Sequence, residues 1–217
     1  MKKMKKIVCL FACLFACLFA GSVNAVPIHQ AVSVSASEGD FGGAFSLVNM
    51  INQSGLSAGY TSGVSNFATF AGGTTHDGGG AINSGFSVGP FGQFSYDLGS
   101  ALSLDGIAFW ETQNSGSVLG FNLYADTNQN FGDGVGSLLG SFVATAGGTA
   151  ISSAQTFGFS AVSTQFLHID ILTTDGGSQP GIGEIAFRGT STVPEPTSLA
   201  LLCLGLASFG LKRKKRK

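Results

Sequence analysis

Ten of the eleven Lys and Arg residues lie at the two ends of the chain, at Lys2–Lys6 and Lys212–Lys217. Arg188 is the only base between them. That stretch also carries few glutamates and many Gly, Ser, Thr, Asn and Phe residues. Surface helices draw on Lys, Arg, Glu, Ala and Leu, so long amphipathic helices are not available to it. Between Val26 and Thr192 stand eleven acids and one base, a net charge of −10. Such a surface repels phosphate backbones and anionic membranes, which excludes nucleic acid as a partner. Divalent cations and neutral polymers remain.

The ends read as processing signals rather than as fold. Lys2, Lys3, Lys5 and Lys6 precede an unbroken apolar run, Ile7–Ala20, and then Val23-Asn24-Ala25. Small residues at −3 and −1 seat an extended chain in signal peptidase, so residues 1–25 are expected to be a signal peptide cut after Ala25. The rivals are an uncleaved anchor helix and lipoprotein processing at Cys13 or Cys17. Against the second, Phe11 and Phe15 stand where a small residue is usual. The four cysteines, Cys9, Cys13, Cys17 and Cys203, all lie in the terminal apolar runs. The domain between therefore has no disulfide, thiolate nucleophile or cysteine metal site.

Residues 26–192 suit one domain, enough to bury roughly 70% of its unfolded surface. Apolar residues recur mostly with period two, predicting strands near residues 31–36, 64–70, 81–88, 93–97, 102–111, 119–126, 138–145, 154–159, 166–173 and 182–188. Ala44, Leu47, Val48 and Ile51 are spaced for one short helix. Paired and tripled glycines mark turns, and many short strands with frequent turns predict an all-β sandwich or jelly roll.

Residues 193–217 change style. Val193-Pro194-Glu195-Pro196 is an exposed, extended segment. Thr197–Leu211 is almost wholly apolar, and Lys212-Arg213-Lys214-Lys215-Arg216-Lys217 ends the chain. Fifteen helical residues span about 22 Å against a hydrocarbon layer of about 30 Å. Snorkelling lysine stems cover part of the shortfall. A single transmembrane helix from Leu199 to Leu211 is expected, with Lys212 and Arg213 opening the basic run that keeps the C-terminus in the cytoplasm. The tail resembles the PEP-CTERM sorting signal in the order Pro194-Glu195-Pro196, apolar run, basic cluster. The resemblance implies passage through the inner membrane and cleavage near Pro194-Glu195-Pro196 by an exosortase. It also implies a setting where surface polysaccharide is made, and delivery to the cell envelope, surface or extracellular matrix. The rival is a plain stop-transfer anchor.

Several groups invite a chemical reading. Gly85-Phe86-Ser87-Val88-Gly89 matches the G-x-S-x-G of hydrolases, which works only on a strand-turn-helix elbow; Pro90 and a further glycine follow it. Asp126 to Gly134 sets oxygen ligands on alternate residues, as a calcium loop does. Phe131 and Ser137, however, stand where an EF-hand needs glycine and glutamate, and an Asx-rich loop is the rival reading. His168 and Asp170 share one face of a strand, expected to be exposed, with Leu167, Ile169 and Ile171 turned to the core. Trp110 and Tyr124 are the candidate sugar-stacking aromatics, with core or rim packing as the alternative. Arg188 is expected to pair with an acid.

From Asn49 to Gly189 the chain resembles the discoidin-like, galactose-binding-like jelly roll. The segments are Phe94-Ser95-Tyr96-Asp97-Leu98-Gly99, Leu104–Trp110, Thr164–Ile169 with His168 where Arg is common, and Gly181-Ile182-Gly183-Glu184-Ile185. The resemblance implies sugar binding by loops at one barrel end. It also implies a structural calcium between an early loop and the closing glutamate, which would fall on Asn52, where Asp is usual, and Glu184. The expected protein is a non-enzymatic surface or matrix component that binds neutral surface polysaccharide. The alternative is a purely structural surface or biofilm component. Exposed aromatics on one loop cluster would favour the first.

Overall fold

The computed structural model describes residues 26–77, 83–112, 115–130, 136–147 and 151–190. The predicted signal peptide and the tail from residue 191 lie outside the described residues. Period-two patterning is plainest in β6, Gly120–Asp126. Phe121, Leu123 and Ala125 are buried there, while Asn122, Tyr124 and Asp126 are half-buried on the other face. The closing strand β11, Glu184–Gly189, sends Ile185 and Phe187 into the same core.

Two strands are longer than expected. β5 runs unbroken from Gln93 to Trp110, joining the predicted strands 93–97 and 102–111. β9 runs from Gln155 to Ile171, joining 154–159 and 166–173. Leu98-Gly99-Ser100 looks like a turn in the sequence. Gly99 is indeed at φ +77, and Asp97 Oδ1 accepts its N–H at 2.7 Å. Yet the pairing with β9 resumes beyond this corner with a shift of register between Asp97 and Leu102.

The first half of β5 pairs with β2, Ser33–Ala36, and with the end of β9; its second half pairs with β11 and the start of β9. With β1, Ile28–His29, and β7, Ser137–Val143, the order is β1-β11-β5-β9-β6-β7, and β2 lies beside β5. Phe94, Tyr96 and Leu98 from one half of β5 meet Leu104, Ile107 and Phe109 from the other in one core with Phe121, Leu123, Leu167 and Ile169. Full burial of each such side chain contributes about 1.5–3 kcal/mol. The fold is a jelly-roll β-sandwich, as the sequence predicts.

A second cluster, Ile28, Tyr60, Phe67, Ala71, Ala108, Trp110 and Ala186, covers the outer side of β5 and β11. Its lid is α1, Phe67–Gly73, where a strand over 64–70 is predicted. Asn66 caps it, its side chain accepting Thr69 N–H at 2.9 Å. Phe67, Phe70 and Ala71 then fall on one face. The short helix expected near 44–51 is instead two 3-10 turns, Gly43–Phe45 and Leu47–Met50, parted by Ser46 in an extended conformation. Of the strand predicted over 81–88, the described part that pairs is β4, Gly85–Phe86, against β10, Gly181–Ile182; residues 81–82 lie outside the described residues. The small pair β3, Thr75–His76, and β8, Ser152–Ser153, completes the set.

His168 is buried rather than exposed, at 4%. The turn after β6 covers it, with Nε2 3.0 Å from Asn128 O and 3.8 Å from Asp126 Oδ2. Arg188 pairs with Asp105 as expected, Nε to Oδ1 at 2.6 Å, with Nη2 donating to the Asp105 carbonyl at 2.8 Å.

Candidate ligand-binding site

Asp40 organises one loop of the site. Its Oδ1 accepts N–H from Gly42 and Leu47, and its Oδ2 accepts the Ser46 hydroxyl. Phe41 N–H donates to Phe86 O at 3.0 Å. These bonds set Phe41 and Phe45 edge-to-face in a row ending on Phe86, with centroids 5.5 and 5.6 Å apart. Ser115 and Gln179 form the facing wall of a pocket of about 310 Å³.

That wall is held by Gly181 N–H on Gly116 O at 2.9 Å and by Gly116 N–H on Asp175 Oδ1 at 2.5 Å. Gly116 is at φ +109, and a Cβ there would come within 2.2 Å of Gln179 O. The two loops therefore close only around glycine. Phe41 is 43% exposed and Phe91, just beyond β4, is 52% exposed. Among the described residues no charged side chain lines the pocket. Rings, one hydroxyl and one amide suit a small neutral ligand with both apolar and hydroxyl surface, in the size range of ligand sites.

The residues singled out from the sequence lie elsewhere. Trp110 is 0% exposed under α1, and its Nε1 donates to Thr74 O at 2.9 Å. It has no ring face open to a sugar and cannot stack on one, because its strand is covered on both sides. Tyr124 is half-buried on the outer face of β6, paired across to His168 and Leu138, and its hydroxyl accepts from Asn122. It does not line the pocket.

Ser87 is 2% exposed and bridges to Asp40 directly after β4, with a bend and no helix behind it. His76 is engaged by Asn83 O at 2.9 Å. The G-x-S-x-G is not a nucleophile elbow. Asn128 closes an Asx turn onto Asn130 N–H, Asp126 Oδ1 accepts Thr127 N–H, and residues 131–135 of that loop lie outside the described residues. Among the described residues no three His, Cys, Asp or Glu side chains gather as a metal site.

Glu184 does meet the early loop, but through the backbone of Gln53, whose N–H donates to Oε2 at 2.8 Å. Glu184 is 0% exposed, and burial raises its pKa well above the usual carboxylate range. Its Oε1 has no hydrogen-bond partner, the one feature that would suit a cation. The rest does not fit. Asn52 is exposed, with Oδ1 accepting Ser54 N–H and Nδ2 donating to Asn49. The Ile51 and Tyr60 carbonyls accept from the side-chain amides of Gln30 and Gln53. Calcium needs six to eight oxygens about it, and here amide donors converge on them instead.

A second buried acid, Glu111, stands just beyond Trp110 at 0% exposure. Burial, with Asp175 nearby, pushes its pKa up to about 9, and among the described residues neither of its carboxyl oxygens has a hydrogen-bond partner.

The comparisons with known proteins bear on both parts of the chain. Residues 192–215 match the PEP-CTERM protein-sorting motif. The tail is a PEP-CTERM sorting signal. A protein carrying it is exported and delivered to the cell surface, the setting the two ends of the sequence predict. No curated protein is similar to the chain. Among solved structures, a pectin-binding carbohydrate-binding module is 17% identical, covering 76% of this chain and 96% of its own, with a TM-score of 0.50. The CBM32-1 and CBM32-2 domains of Clostridium perfringens ZmpB are 12% identical over 78% of this chain and 38% of theirs, with a TM-score of 0.52. The CBM32 of AlyQ, solved with 4,5-unsaturated mannuronic acid, is 14% identical over 74% and 96%, with a TM-score of 0.49. At these identities the likeness is one of fold.

Proposed function

We propose that this PEP-CTERM protein is a non-catalytic carbohydrate-binding module. It holds a neutral glycan of the cell surface or its matrix in the Phe41–Phe45–Phe86 pocket. The observation that carries the reading is that pocket: an exposed ring, Phe41, backed by Phe45 and Phe86 and faced by Ser115 and Gln179, with no charge among the described lining residues. Sugars present C–H faces and hydroxyls together, which rings and short polar side chains match. The alternative of a purely structural matrix protein accounts less well for a half-exposed phenylalanine held in place by three bonds to Asp40.

Two neighbours of the same fold are named as carbohydrate-binding modules, one of them for pectin, and this supports a carbohydrate ligand; neutrality rests on the charge of this domain. A domain at −10 has no free base to grip a polyanion, since Arg188 is engaged by Asp105. In this reading signal peptidase cuts after Ala25, exosortase cuts near Pro194-Glu195-Pro196, and surface density turns weak single-site affinity into avidity.

The test is a glycan array probed with the protein purified from its host, followed by titration of the best ligand. Phe41→Ala should weaken binding about tenfold while leaving Tm nearly unchanged, because Phe41 is outside the core. Failure to bind any glycan, or affinity indifferent to Phe41→Ala, would overturn the assignment.

A further inference from the structure

The place that the fold resemblance reserves for a structural calcium is built from amides. Gln53 is at its centre. Its backbone N–H donates to Glu184 Oε2 at 2.8 Å. Its side chain pairs with both backbone groups of Tyr60, Oε1 accepting Tyr60 N–H at 2.8 Å and Nε2 donating to Tyr60 O at 3.2 Å. The same Nε2 reaches Gln30 Oε1 at 3.1 Å, and Gln30 Nε2 donates to the Ile51 carbonyl. Four separate pieces of chain, at Gln30, residues 51–53, Tyr60 and Glu184, are thereby fastened together.

An ion in such a place would draw the early loop and the closing strand onto one positive centre. Here the positive ends are N–H groups, and they already occupy the carbonyls an ion would use. Among the described residues the carboxylate that meets the cluster is Glu184. Tyr60 and Tyr96 stand near it, their hydroxyls held neutral by burial, and His76 packs between Gly55 and Gly183 with its pKa lowered by burial and its Nε2 engaged by the Asn83 carbonyl. We propose that the Gln30–Gln53–Tyr60 clamp takes over the work of a metal, so that the domain joins its early loop to its closing strand without calcium.

The backbone supplies a sign test. Among the described residues Gln53 is the one non-glycine with positive φ, at +65. If its side chain did nothing, Gln53→Gly would relax the backbone and raise Tm. If the clamp holds the loop, the same substitution removes three side-chain hydrogen bonds and lowers Tm, by roughly 3–6 °C for a domain of this size. Gln30→Ala, which carries no backbone effect of this kind, should lower Tm in the same direction.

Melting of the wild-type protein is then compared in millimolar calcium and in chelator, with calorimetric titration of calcium alongside. The expected result is superimposable melts and no heat of binding, since an ion that binds only the native state must raise Tm. A wild-type Tm that rises with calcium and falls with chelator, or a Gln53→Gly protein more stable than wild type, would overturn the proposal. Neither readout uses a sugar, so the result stands apart from the fate of the pocket assignment.

Discussion

Replacing Glu111 with glutamine separates one buried acid from the rest of the domain. In the unfolded chain this carboxyl titrates near 4.5; in the folded protein it titrates at about 9. Between those values the folded state keeps a proton that the unfolded chain has released. Stability is therefore fully present below the lower value and declines as pH rises toward the upper one, by up to about 1.4 kcal/mol per pH unit. At neutral pH the accumulated cost approaches about 3 kcal/mol, or roughly 6–12 °C in Tm for a domain of this size. Glutamine keeps the shape and an acceptor but has no proton to lose. The assay is thermal melting of both proteins across pH 5 to 8.5. The two should converge at the acid end and part steadily above it, with Glu111→Gln the more stable. Glu184, whose pKa burial also raises, tilts both curves alike and cancels in the difference. A difference that stays constant across the range would refute the reasoning, and so would a variant less stable than wild type at pH 8.

Trp110→Ala should cost about 3–5 kcal/mol in denaturant unfolding, and Trp110→Phe distinctly less, because the indole fills the space under α1 and its N–H serves Thr74. Intact-mass analysis of the protein from its native host should find both ends trimmed, after Ala25 and near Pro194-Glu195-Pro196; a mature species retaining Lys212–Lys217 would leave only a membrane anchor.

Much of the sandwich is readable without coordinates, because half-buried strands such as β6 print their two faces directly as alternating residues. The failures have local causes. The Asp97-Leu98-Gly99 corner has turn composition, and nothing nearby in sequence says that the ladder resumes beyond it; that depends on β9, dozens of residues away. Val64–Phe70 alternates like a strand, but Asn66 followed by Thr69 is a helix cap, and the packing of Phe67 on Trp110's layer decides the matter. The pocket was missed for a different reason. Phe41 and Phe45 sit among glycines with no period to flag them, Phe86 reads only as one residue of a predicted strand, and Ser115 and Gln179 come from distant loops. The one legible signal was Asp40 ahead of two aromatics spaced by Gly42-Gly43, a loop pinned by its own carboxylate. The meeting of Glu184 with residues 51–54 was legible through resemblance. What fills the junction was not, because Gln30 and Gln53 look like ordinary surface residues until their amides are seen facing each other.

The sheet order sets a timetable for the protein's birth. Ile28 pairs with Arg188 and His29 with Phe187, so the first and last strands of the domain are neighbours. A chain threaded N-terminus first across a membrane cannot complete that sheet until Gly189 has emerged. Only a few residues then remain before Pro194. The two long strands add to the delay, since β5 must wait for β9 to fill its longest pairing, and such distant pairings nucleate slowly. The domain thus stays threadable for as long as it needs to be, and its final stitch closes at about the moment the sorting signal arrives.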